Sequence, residues 1–270
     1  MQHHRTLACC LLAGLLAVCG SAPAQQPERI DGRPNINGIW QAMNTAYWSL
    51  EPHGAEAIRG ASHMGAIGAR PAGTGVVVGG TIPYLPEALE VREANRAAAP
   101  GADPEAKCYL PGIPRATYMN HPFQIIQGGG DILFAYEYAA ANRTVYIEEH
   151  RVPPIDTWMG TSNGHWDGDT LVVVTEAQNG QTWMDRSGNH LSPEAVVTER
   201  FTLNGPDHLD YEATIEDPSV YSEPWTIAMP LYRRVEEDAQ LLEFKCVPFS
   251  EILLYGDLMP EDMDPDDAAD

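Results

Sequence analysis

Positive charge is the scarcest resource of this 270-residue chain: 16 Lys and Arg stand against 38 Asp and Glu, a formal net charge of −22. Binding to a nucleic-acid backbone or an anionic membrane surface needs clustered basic side chains, so both partners are excluded as expectations. Long apolar runs are missing too. The longest, Leu7 to Val18, falls short of the roughly 20 residues that span a bilayer, and no later stretch could cross one. Cysteine is sparse, at five residues, and three of them (Cys9, Cys10, Cys19) lie within the first twenty positions. The His residues after residue 24 show no H-x-H or H-x-x-x-H pairing, so spacing gives no support for a metal site. No nucleotide, haem or flavin signature occurs, and no cofactor is expected. Gly73-Thr74-Gly75-Val76-Val77-Val78-Gly79 looks loosely like a dinucleotide-binding turn, but Thr81-Ile82-Pro83 follows where a helix must open.

What is present points to export and to β structure. Arg5 precedes the apolar stretch, and Ala22-Pro23-Ala24 supplies small residues for cleavage, so residues 1–24 read as a signal peptide of a periplasmic or secreted protein. An alternative is a lipoprotein acylated at Cys19. Beyond the signal only Cys108 and Cys246 remain. In an oxidising compartment they suggest a disulfide, against the alternative of two distant free thiols.

Residues 25–107 read as an irregular N-terminal segment: a polar lead-in, a short strand at 35–40, a Gly- and Ala-rich loop over 53–80, and one helix at Pro86–Ala99 opened by its proline. From 108 to 250 strand patterns follow one another near 115–119, 122–127, 131–138, 143–148, 163–167, 170–177, 195–203, 208–217, 224–232 and 240–247, separated by tight turn signals such as Gly128-Gly129-Gly130 and Asp167-Gly168-Asp169. So many strands joined by short turns predict a mostly β fold, a single antiparallel barrel (lipocalin-like in general form) or a sandwich. Residues 251–270 form an acidic tail; Asp262 to Asp266 mimics the start of a calcium loop but lacks its Gly and distal Glu.

The run from Trp158 to Val173 reads WMGTSNGHWDGDTLVV. With Pro111-Gly112-Ile113-Pro114-Arg115, Tyr136-Glu137-Tyr138, Trp183-Met184-Asp185, Glu199-Arg200-Phe201, Asp217-Pro218 and Pro224-Trp225, it resembles a family of secreted, largely uncharacterised bacterial proteins with a WxGxSxGxWxGDTLVV motif. The resemblance covers residues 34–247 and departs at Val196-Val197, where relatives carry His or Arg. It implies an exported setting and brings no activity with it.

Candidate chemistry comes from strand alternation. Glu199 shares a face with Ala195, Val197, Phe201 and Leu203; Asp217 ends a face formed by Leu209, Tyr211, Ala213 and Ile215; Glu137 follows Leu133 and Ala135. A carboxylate among apolar groups is costly to ionise and can serve as a general acid or base. The competing reading is a structural ion pair, Glu199 or Glu137 with Arg115 or Arg143. Glu199, Asp217, Glu137 and His165 are therefore the candidate catalytic groups. Trp166, Tyr211, Trp225, Tyr138 and Arg115 are the candidate lining of a pocket for a small apolar or aromatic ligand, unless these rings are simply core. Gly160-Thr161-Ser162-Asn163-Gly164 fits G-x-S-x-G, with Asp185 and His190 following in hydrolase order, but a strand–turn–strand signal surrounds Ser162 where an elbow needs strand then helix. The first expectation is an enzyme using carboxylate and His acid–base chemistry, by isomerisation, elimination, hydration or hydrolysis. The alternatives are a non-catalytic small-molecule binder of the cell envelope and a solid-core interaction module.

Overall fold

Alternation with a period of two places one face of each strand against its neighbours' apolar faces, and that demand is met here by closure. The computed structural model describes residues 28–57 and 69–248; the signal, the lipoprotein alternative and the acidic tail lie outside the described residues. A small hairpin, β1 (Arg29–Ile30) and β2 (Arg33–Pro34), precedes β3 (Gly38–Ala42). The two-stranded β4 (Glu56–Ala57) and β5 (Ala69–Arg70) and the helix α1 (Pro86–Ala98) complete the N-terminal segment. A short helix α2 (Arg115–Tyr118) leads into β6 (Phe123–Gln127), β7 (Ile132–Tyr136), β8 (Asn142–Tyr146), β9 (Thr161–Asp167), β10 (Thr170–Glu176), β11 (Val196–Leu203), β12 (His208–Glu216) and β13 (Trp225–Arg233).

The fold is mostly β, and its centre is a closed barrel of nine strands in the order β10-β11-β12-β13-β3-β6-β7-β8-β9. The β3 stave comes from the N-terminal segment: Leu231 pairs with Ala42 on one side and Gly38 with Ile125 on the other. Eight of the nine neighbour pairs are antiparallel. The exception is β8 with β9, which run parallel through only Val145–Ser162 and Tyr146–Asn163. The long connection 147–160 explains this, because it carries the chain back to start β9 in the direction of β8. Between β9 and β10 the turn is two residues, with Gly168 at φ +61° supplying the left-handed conformation that a tight hairpin needs.

Two expected strands are absent. Residues 115–118 form α2, with all four side chains buried, because Pro111, Gly112 (φ +69°) and Pro114 interrupt extended backbone just before them. Residues 240–247 pair with nothing, since β13–β3 pairing already closes the barrel and leaves no edge to extend. They run instead as a strap over the outside, fixed by the Cys108–Cys246 disulfide (Cα–Cα 5.7 Å).

The barrel is filled by side chains. Trp40, Phe123, Phe134, Phe201 and Tyr211 are fully buried, and α2 inserts Thr117 and Tyr118 among them.

Candidate binding site

Glu199 on β11 faces inward as its alternation requires, in register with Val173 of β10 and Ala213 of β12. It is 0% exposed. Its partner is Arg143 on β8: Nη1 donates to Oε2 at 2.5 Å and Nη2 to Oε1 at 3.2 Å. Tyr211 donates its hydroxyl to Oε1 at 2.9 Å, and Thr117 of α2 donates at 3.3 Å. The Arg143 guanidinium lies over the Phe134 ring at 4.7 Å and reaches Thr175 Oγ1 at 3.4 Å; Thr175 and Ser162 hydroxyls share a bond of 2.8 Å. Burial opposes the charge on Arg143, but adjacent Glu199 outweighs it and raises the Arg143 pKa. Burial, reinforced by Glu199, pushes the Tyr211 hydroxyl well up, and burial takes Tyr136 to about 12. Glu199, Arg143, Tyr211 and Thr117 thus form one bonded cluster inside the barrel.

The other candidate acids have partners elsewhere. Asp217 accepts from Ser192 N (2.7 Å) and Ser192 Oγ (2.8 Å) and so fastens the end of β12 to the connection before β11. Glu137 bonds His121 Nδ1 at 3.2 Å and accepts Leu242 N of the strap at 2.8 Å. His165 is exposed on β9. Arg115 is engaged bidentately by Asp103 at 2.8 Å for each oxygen. Tyr138 donates to the carbonyl oxygen of Glu105 at 2.9 Å, Trp225 packs edge-on against Tyr221 at 5.2 Å, and Trp166 is only partly buried at the core's margin. Among the residues expected to share a pocket, Glu199 and Tyr211 are joined by a hydrogen bond, while the others are held by partners outside that set or stand apart.

The G-x-S-x-G segment is a β connection. Gly160 adopts φ +67°, and a Cβ on it would sit 2.6 Å from the Glu176 carbonyl oxygen; a Cβ on Gly164 would meet Val145 Cγ1 at 2.5 Å. The glycines thus serve a left-handed turn and a close strand approach. Ser162 lies within β9, bonded to Thr175. Asp185 organises a different loop, accepting from Leu50 N (2.8 Å), Ser187 N (2.9 Å) and Asn189 Nδ2 (2.5 Å).

The short β8–β9 pairing leaves a cleft of about 760 Å³ at this seam. Arg143 and Ser162 line it, so the buried ionic cluster borders it; Thr144, Thr157 and Thr161 add hydroxyls. Trp158, Met159, Val152, Pro154 and Ile155 add apolar surface. Trp158 is stiffened by stacking on Tyr109, with centroids 4.7 Å apart and planes 8° from parallel. Sequence reasoning singled out Trp158 and Arg143 but not the loop carrying Val152 and Ile155, which are 81% and 69% exposed. Its signal was its length, the longest turn-free gap between adjacent strands of the first barrel half, with two prolines and bare aliphatics.

No family model, curated protein or solved structure matches this chain. Among the described residues, no group of three or more His, Cys, Asp or Glu side chains could hold a metal ion, and no helix is long and apolar enough to cross a membrane.

Proposed function

We propose that the protein is an exported β-barrel that binds a small, partly aromatic molecule in the cleft at the β8–β9 seam, without catalysing its conversion. The cleft carries this reading. Its volume, about 760 Å³, lies within the roughly 300–1,000 Å³ usual for small-molecule sites. It combines a rigid ring wall at Trp158 with the exposed cation of Arg151, which lies over the Tyr146 ring at 5.3 Å, and a row of hydroxyls, above an Arg143 already paired with Glu199. Rings give apolar contact at low entropic cost, and a few polar groups orient the ligand. An aromatic compound with a single carboxyl or hydroxyl group matches that distribution. Binding is favoured over acid–base catalysis because Glu199, Asp217 and Glu137 each serve a separate partner and do not converge on one ligand atom. The leader, the disulfide and the resemblance to secreted bacterial proteins support export.

Calorimetric titration of the disulfide-bonded protein with aromatic carboxylates and aromatic alcohols tests the reading. Saturable one-site binding is expected. Trp158→Ala should weaken it at least about tenfold, roughly 1.4 kcal/mol, and Thr161→Trp, which fills the cleft, should abolish it. Binding that ignores Thr161→Trp would place the site elsewhere, and product formed from a bound compound would make the protein an enzyme.

A further inference from the structure

A second cleft, about 440 Å³, is lined by Arg70, Arg96 and Arg186 with Trp48, Glu56 and Glu93, three cations in a chain otherwise poor in positive charge. Four stretches of sequence build it. The loop after Trp183 is held by Asp185 and presents Arg186 and Ser187. The Arg186 guanidinium lies over the Trp48 ring at 4.6 Å. Ser187 links the other two walls, accepting from Arg70 Nη1 at 2.9 Å and donating to the Trp48 carbonyl oxygen at 2.9 Å. Next in the loop, Gly188 (φ +85°) lets α1 approach so closely that a Cβ there would meet Asn95 Cβ at 2.7 Å. That contact brings Arg96, in the last turn of α1, to the cleft.

Arg186 is taken up by Glu105, at 2.7 and 2.9 Å, and Glu93 pairs with Arg92 at 2.7 Å, which leaves Glu56 to answer both Arg70 and Arg96. Trp48 Nε1 and Arg70 Nε are buried N–H groups with no hydrogen-bond partner among the described residues. Glu56 of β4 bridges Arg70 and Arg96, lying 3.5 Å from the latter. Its side chain is 50% exposed while that of Arg70 is 11% exposed, so Glu56 can turn out to water and leave Arg70 facing the cleft. Burial, and then the neighbouring Arg96 guanidinium, lower the Arg70 pKa, as expected where positive charge is under-compensated. Unmet buried donors are expensive, so a ligand bearing acceptor oxygens gains more than an ordinary surface contact offers.

We propose that this cleft binds a small oxyanion, a carboxylate or a phosphate group, held by Arg70 and Arg96 with the Trp48 indole N–H, and that the Glu56 carboxylate occupies the place as a built-in competitor. This site is independent of the seam cleft.

Isothermal titration of the full disulfide-bonded chain at low salt, with inorganic phosphate and with succinate as separate probes, tests it. At least one probe should bind, and more weakly as sodium chloride is added. Glu56→Gln should tighten binding several-fold by removing the competitor. Arg96→Gln should weaken it about tenfold; its side chain is 44% exposed, so folding should persist, checked by circular dichroism. Binding of phosphate alone identifies a phosphorylated ligand, and of succinate alone a carboxylic acid. If neither probe binds the Glu56→Gln protein, or if Arg96→Gln leaves binding unchanged, the proposal is wrong.

Discussion

The carboxylate of Glu199 is fully buried: Val197 and Phe201, two residues away on the same face of β11, are both core. Its ionised form is kept by Arg143, Tyr211 and Thr117 together. Attraction inside a buried pair roughly balances desolvation, whereas removing one partner strands the other. Glu199→Gln should therefore destabilise the protein by about 3–5 kcal/mol, measured by denaturant unfolding, because Arg143 then stays charged and unpaired. Pairing it with Arg143→Met should recover most of the loss. Equal unfolding midpoints for Glu199→Gln and the parent would show that Arg143 finds water through the seam cleft. The identity of Glu199 as an inward carboxylate was legible from alternation alone, and so was the alternative that an Arg answers it. Which Arg was not: Arg115 sits on α2, turned toward Asp103, and only Arg143 reaches Glu199 across the barrel.

At the scale of elements, the C-terminal strap shows what closure does to a strand-like sequence. With no free edge to join, residues 240–247 keep only local holds. Leu242 N donates to Glu137, Phe244 packs edge-on against His121 at 4.7 Å, and Cys246 bonds Cys108 across a sequence separation of 138 residues. A loop that long gives a disulfide as much as about 5 kcal/mol in the chain-entropy account. Cys246→Ser should lower the thermal midpoint. It should also raise amide exchange across 234–248, with barrel strands still protected relative to the strap. Strap amides that remain as protected as β13 would show that the disulfide is not what fixes the strap. The α1 helix tells the complementary story. Its proline start and run of Ala specify it locally, but Ala88 is its only buried residue, and its position depends on the bare backbone of Gly188.

For the molecule as a whole, the buried ionisable groups make identifiable contributions to the acid response. Burial would raise the Glu105 carboxyl, but Arg186 and Arg115 hold it down to about 2 against an ordinary 4.5. A depressed carboxyl contributes stability that is complete above the unfolded value and lost as pH falls through the window between about 4.5 and 2. His190 acts in the same direction: burial lowers its pKa below 6.5, so protons bind the unfolded chain preferentially just under that value. Asp185, raised by burial, works oppositely. Stability should fall on acidification, and Glu105→Gln should be less stable near neutral pH yet flatten the limb between about 4.5 and 2. Thermal midpoints across pH for both proteins check this, and parallel curves would remove Glu105 from the account.

The sequence by itself determined that the fold is mostly β, several of its turns, the inward face of β11 to β13 and the pairing of the only two cysteines beyond residue 24. Each of these follows from local period, composition or elimination. Tertiary structure alone decided that the N-terminal β3 completes the barrel, that the 240–247 segment is excluded from it, and that β8 meets β9 in parallel over two residue pairs. Those are choices of partner between segments distant in the chain. Periodicity marks which face of a strand is buried but carries nothing about which strand lies beside it. Both clefts arise from such choices, one where the β8–β9 seam is short, the other where α1, Trp48 and the loop after Trp183 are brought together.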